Sequence, residues 1–291
     1  MMNLLPIEAI YKIMINNIRK YNFPFHIDKR LCHKWAYEIG LPRGGNTVIY
    51  TSCLYQLTPY INAMAKYLEK AENSRVIRLG LRLLARFSFL NRLSSYIIRA
   101  NRNEYEDVYK ILQSISRILN MIGVNHGYLY EDDIYCGILL YDLGIESIFV
   151  EHAKKVASIF KKHNIKRIIT VDPHTHFALS KLYPQYLDNF EYEVQNYIEL
   201  IYQKIDLLES RSNEKEYVIH DPCYYARFCN IIEQPRAILN KIGVKMREVA
   251  RSGINTGCCG GPVESLAPSI SRAVAIGRLR ELKEGSSNII T

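Results

Sequence analysis

No stretch of this sequence approaches the roughly 18 consecutive apolar residues that a membrane-spanning helix needs. Residues 1–20 lack the order of charged, apolar and small residues that marks a secretory signal. The expectation is a cytoplasmic protein, peripheral to a membrane at most. Glycine-rich phosphate loops and dinucleotide fingerprints are missing, which argues against a nucleotide or flavin on this chain. No Ser-His-Asp set or pair of carboxylates stands out as hydrolytic machinery. Zinc-finger, helix-turn-helix and RNA-binding signatures are missing as well, so nucleic acid is not the expected partner. Acidic residues run short: 29 Asp and Glu face 38 Lys and Arg, for a formal net charge of +9. That excess suits nucleic acid, an acidic protein or an anionic membrane surface, and alone selects none of them. Between residues 75 and 102 acidic residues are absent altogether, while seven arginines interleave with apolar side chains.

What is present is the balance of a globular protein, 48% hydrophobic and 23% charged over 291 residues. That length holds one large domain or two ordinary ones. Cysteines number seven. In a reducing compartment thiols stay reduced, and an odd number cannot pair completely, so no disulfide framework is expected. Metal binding, redox chemistry and plain burial remain as their uses.

Residues 1–45 read as a helical lead-in. Apolar spacing predicts a helix over 6–21. Asp28 can cap a second, short one through Leu31, Trp35 and Ile39. Pro42, Gly44 and Gly45 end it. Strands and helices then alternate, which predicts an α/β fold with small, mainly parallel sheets flanked by helices. Strands are expected at 47–51, 128–130 and 166–171, and helices at 59–70, 107–122 and 150–163. A shorter second series has strands at 216–219, 245–250 and from 288, with helices at 235–242 and 265–284. The two series can be laid over each other. Cys53 and Cys223 both follow a first strand. Tyr135-Cys136-Gly137 corresponds to Cys258-Cys259-Gly260, and a helix then leads in each to Ile-Ile-Thr. The ordered match predicts two tandem, internally duplicated domains at 46–207 and 208–291. The main mismatch is a basic insertion near 71–106.

Adjacent cysteines cannot both face one way on a regular strand or helix. They can converge where the backbone turns, and Gly257, Gly260 and Gly261 permit such a turn. Cys223 is expected at the carboxyl end of a strand, where sites gather in parallel sheets. Cys223, Cys258 and Cys259 can therefore share one crevice. Metal or redox use and the packing of small apolar thiols are both open on this chemistry.

The segment HDPCYYARFCNIIEQPRAILNKIGV, followed by TGCCGGPVES, resembles the cysteine-rich CCG domain found in the B- and D-type subunits of heterodisulfide reductase. Iron–sulfur subunits of glycolate-oxidase-type dehydrogenases share that domain. The resemblance covers about residues 46–291. It implies tandem CCG domains and a 4Fe–4S cluster, cubane or non-cubane, with Cys223, Cys258 and Cys259 as thiolate ligands. It also implies electron transfer within an oxidoreductase complex, thiol or disulfide chemistry at the cluster, and other iron–sulfur or flavoprotein subunits as partners. The family closes each domain with Cys-Pro-x-Cys. The first series has Asp172-Pro173-His174-Thr175 there instead and only one Cys, Cys136, in place of the pair. In the second, Thr291 falls just before the closing element. These departures support the alternative of a scaffold or assembly subunit that no longer binds metal.

Cys53, Cys136, His174 and His176 hold positions equivalent to a metal site in the first series. Thiolate with imidazole suits zinc, and a decayed site kept for packing is the other reading. Asp172 suits a helix N-cap. His220 is expected near the crevice, hydrogen-bonding rather than ligating. Cys32 and Cys229 read as structural. The basic stretch 75–102 reads as an amphipathic insertion, either a solvated face or a contact for a partner subunit or a membrane surface.

Overall fold

The computed structural model describes residues 5–87, 98, 100–210 and 215–291. The lead-in forms α1 (Ile7–Tyr21) and α2 (Arg30–Glu38). α1 buries Ala9, Ile10, Met14 and Ile18, one face at helical spacing. The Asp28 carboxylate accepts the Arg30 backbone N–H at 3.0 Å, but the N-cap of α2 is Lys29, with no side-chain cap bond, so Asp28 sits one residue ahead of the expected cap.

The first sheet contains β1 (Thr47–Tyr50), β2 (Gly127–Tyr128), β3 (Arg167–Thr170) and β4 (Glu193–Asn196). All pairs are parallel, in the order β2-β1-β3-β4. Val48, Ile49, Ile168 and Ile169 are wholly buried, as strands covered on both faces require. The connections are helical: α3 (Thr58–Asn73), α4 (Arg75–Arg86) and α5 (Arg102–Met121) lead from β1 to β2, and α6 (Ile138–Asp142) and α7 (Glu146–Lys162) from β2 to β3. After β3 comes α8 (Pro173–Phe177), which runs on through wide π-helical turns at Ala178–Leu182. β4 is followed by α9 (Tyr197–Gln203).

The second sheet contains β5 (Glu216–Ile219), β6 (Lys245–Arg247) and β7 (Ile289–Ile290), again all parallel, in the order β6-β5-β7. α10 (Glu233–Lys241) and α11 (Pro268–Gly285) make its crossovers. In both sheets the first strand is central, with the second on one side and the third on the other. β4 is the extra edge strand of the first sheet. The expected strand at 128–130 is shorter because Tyr130 has a φ of 54° and opens a helical turn through Asp132.

The basic insertion is built from the end of α3, α4 and the start of α5; its residues 88–97 and 99 lie outside the described residues. α4 has two apolar faces. Ile77, Leu81 and Leu84 pack with Ile10, Met14 and Leu68. Val76, Leu79, Leu83 and Phe87 stay exposed, as do Arg75, Arg82 and Arg86. Among the described residues no helix is long and apolar enough to cross a membrane.

One expectation is overturned at this level. Cys32 and Cys53 form a disulfide, with Cα atoms 5.1 Å apart. Ser52 and Cys53 are both left-handed, at φ 57° and 51°, and swing the chain after β1 back toward α2. The linked cysteines are 21 residues apart. Closing a loop of this size removes about 3 kcal/mol of freedom from the unfolded chain. Cys32→Ser should therefore lower unfolding stability by about 3 kcal/mol, and reductant should bring the wild type down to match. Denaturant midpoints with and without reductant check this. Identical midpoints would mean that the bond does not stabilise the fold.

Candidate functional site

The carboxyl end of β5 leads into His220-Asp221-Pro222-Cys223, and Cys223 opens the helical turn Tyr224–Cys229. Cys258 and Cys259 lie on the loop between β6 and α11. The turn beyond them needs glycine at 260. Gly260 has a φ of 87°, and a β-carbon there would meet the Ser271 carbonyl oxygen at 2.5 Å. The Ser271 hydroxyl in turn donates to the Gly260 carbonyl at 2.8 Å. The Gly260 N–H donates to the Cys258 sulfur at 3.3 Å.

Cys223, Cys258 and Cys259 line one crevice of about 250 Å³. Its walls are Tyr141, Phe177, Tyr224 and Phe228, with Pro173, Pro222 and Pro262 between them. Phe177 and Tyr224 stack at 4.7 Å. Cys258 and Cys259 are exposed on the open side, whereas Cys223 is half-buried. Burial pushes the Cys223 thiol up, and the neighbouring Cys259 and Cys258 sulfurs push it further. A larger open depression of about 530 Å³ beside α3, lined by Lys66, Glu69, Lys70, Asn73 and Ser74, offers no thiol or imidazole.

Residues 217–291 match the cysteine-rich domain family CCG. The second half of the chain thus carries a CCG cysteine-rich domain, and the chain resembles the D-type subunit of heterodisulfide reductase. It is similar to a probable iron–sulfur-binding oxidoreductase, FadF, of Bacillus subtilis: 33% identical over 52% of this chain and 22% of the relative. The EtfAB:quinone oxidoreductase of Syntrophomonas wolfei is 31% identical over 54% of this chain and 22% of its own length. The dihydromethanophenazine:CoB–CoM heterodisulfide reductase of Methanosarcina acetivorans has a D-type subunit that is 28% identical over 60% of this chain and 46% of its own. The chain thus spans less than half the length of each of these relatives.

In the CCG domain the two cysteine-bearing loops are braced from behind by charged residues that sequence reasoning missed. Arg278 on α11 is almost wholly buried. It donates to the Arg251 carbonyl at 2.9 Å, the Thr256 hydroxyl at 3.1 Å and His220 Nδ1 at 3.2 Å, and pairs with Glu281 at 2.9 Å. His220 is accordingly held behind the crevice and is not among the residues lining it. Arg236 on α10 grips buried Asp221 with two bonds of 2.7 and 2.9 Å. The same carboxylate accepts the Gly253 N–H at 2.7 Å. Arg227 donates to the carbonyls of Ile254 and Thr256. The loop after β5 and the loop before Cys258 are thereby tied to one frame.

The first-series set is not brought together. Cys53 is taken by Cys32. Cys136 is sealed in the core with its sulfur 3.8 Å from Thr175 Oγ1, and burial pushes its thiol up to about 12. His176 hydrogen-bonds Thr170 Oγ1 at 2.9 Å, and burial pushes it down to about 4. His174 instead lines the crevice of the second-series thiols. Asp172 caps α8, its carboxylate accepting the Thr175 N–H at 2.8 Å, as the sequence implied. Cys229 packs against the first core. Among the described residues no three His, Cys, Asp or Glu side chains stand close enough to hold a single metal ion.

Proposed function

We propose that this chain is an electron-transferring, iron–sulfur part of a heterodisulfide-reductase-like redox complex. Cys223, Cys258 and Cys259 are its thiolate ligands to a four-iron cluster. The observation that carries the reading is the meeting of these three thiols in one aromatic-walled crevice at the carboxyl end of β5. The donor set suits such a group: three thiols line one crevice, and because each thiolate of a cluster binds a different iron, the sulfurs need not converge on a single ion. The open face at Gly261 also leaves room, since a β-carbon there would meet only Cys259 Sγ at 3.8 Å and His174 Nε2 at 3.9 Å. When bound, the cluster supplies one-electron transfer.

The residues on hand set how that would run. The aromatic and proline walls keep water from the buried side and lower the local dielectric. The Gly260 N–H donates to the Cys258 sulfur, and bonds of this kind tune cluster potential. Thiol or disulfide chemistry at the cluster extends this reading, prompted by the Methanosarcina relative. Iron, acid-labile sulfide and EPR measurements on protein purified without oxygen test it. Colourless, iron-free protein even after reconstitution would instead support the scaffold reading.

A partner surface belongs to the same proposal. Exposed Val76, Leu79, Leu83 and Phe87 lie on a helix that carries exposed Arg75, Arg82 and Arg86 and no acidic residue. This face suits docking on an acidic neighbouring redox protein, whose charge would also speed encounter. Replacing the three arginines by glutamate should weaken that association at least tenfold while the circular dichroism spectrum stays unchanged. Raising salt should weaken the wild-type complex, because exposed charges are screened beyond about 8–10 Å. Affinity indifferent to both changes would make α4 only a solvated face.

A further inference from the structure

The crevice holds one donor that comes from the other half of the chain. His174 stands on α8, just beyond β3, as Cys223 stands just beyond β5. Its ring meets Tyr224 edge-on at 4.9 Å. Its Nε2 and the Cys259 sulfur converge on one point: a β-carbon at Gly261 would be 3.9 Å from the first and 3.8 Å from the second. The rings of His126, His152, His163, His176 and His220 each hydrogen-bond a protein group. That of His174 has no such partner among the described residues, although it is half-buried beside an aromatic wall. An imidazole left without a protein partner on a crevice shared with three thiols has its nitrogen lone pair free for whatever fills that crevice.

We propose that His174 Nε2 ligates an iron of the cluster held by Cys223, Cys258 and Cys259, so that one cluster is bound by both halves of the chain. The inference rests on the cluster reading above. Imidazole is a known substitute for thiolate at iron–sulfur centres, where it raises the potential. Placed here, it also makes the docking of the two halves a condition of the site. Tyr224, whose hydroxyl bonds Asp142 across the same junction, packs edge-on against the ring.

The test is pulsed EPR on the reconstituted, dithionite-reduced 291-residue chain, with natural-abundance and 15N-labelled histidine. The expected result is a nitrogen hyperfine coupling of directly bonded size, which changes with the isotope. It should be lost in His174→Ala, which should also retain less iron. His174→Cys should recover the iron, lack the nitrogen coupling and shift the midpoint potential downward. A reduced cluster with no directly bonded nitrogen in the wild type would overturn the ligation while leaving the cluster reading intact. So would a coupling that survives in His174→Ala. A wild type that takes up no iron at all would overturn the cluster reading and this inference together.

Discussion

Replacing Cys258 or Cys259 by alanine is expected to remove most of the iron from protein that otherwise purifies brown, with about four irons per chain. The two sulfurs sit on a loop whose path is fixed by Gly260 and Ser271, and they face the same crevice as Cys223. Losing one leaves a corner of the cluster without its thiolate, and water or a weaker ligand replaces it on an exposed side. Cys223→Ala should act likewise. Cys229→Ala and Cys136→Ser serve as controls, because neither sulfur lines the crevice. Both controls should keep the wild-type iron and sulfide content. Iron and acid-labile sulfide assays with visible absorption read the result. Full iron in Cys258→Ala and Cys259→Ala, or equal loss in the Cys229 variant, would mean that the ligands have been misassigned.

The strands that build the crevice were the legible part of the sequence. Thr47–Tyr50, Arg167–Thr170 and Glu216–Ile219 are β-branched and aromatic runs bounded by turn residues, which is how strands buried in parallel sheets read. The Cys258-Cys259 pair was legible because glycine surrounds it. β4 was missed since Glu193-Val194-Gln195-Asn196 is a polar edge strand with little to bury. Its signal was the capping box that follows: Asn196 and Glu199 bond each other's backbone N–H groups. The Cys32–Cys53 bond was missed because no local pattern announces two consecutive left-handed residues at Ser52 and Cys53. His174 was read with Cys53 and Cys136 but lines the crevice of Cys223, Cys258 and Cys259, for a different reason. Its neighbours in sequence belong to the first sheet, and only the docking of the second half decides which sulfurs it meets. Arg278 carries no sequence mark at all, since a helix with several arginines does not say which one turns inward.

Arg278→Leu is expected to cost about 3–5 kcal/mol of stability, because it strips the donor from three acceptors, at roughly 1–3 kcal/mol for each one left buried and unsatisfied. The guanidinium has only 3% of its side chain exposed. Its loss would leave the Arg251 carbonyl, the Thr256 hydroxyl and His220 Nδ1 each short of a donor. Arg278→Lys should lose nearly as much, because one ammonium cannot reproduce a planar fork that reaches three acceptors on two loops. The acid limb of the stability curve carries a second signature. Hydrogen bonds from Arg251 and then Arg278 hold Glu281 down to about 2. A carboxyl with a lowered folded-state value contributes fully at neutral pH, and the contribution fades as pH falls from about 4.5 toward about 2. With Arg278 gone, Arg251 still bonds Glu281 at 2.8 and 2.9 Å, so the acid limb should become shallower without vanishing. Urea unfolding between pH 2 and pH 7 measures both effects. The iron content links them to the site: Arg278 touches no sulfur, yet it fixes the loops before Cys223 and Cys258. The leucine variant should lose iron faster than it loses secondary structure under mild denaturant. Parallel loss of the two would mean that Arg278 supports the domain as a whole and not the crevice in particular.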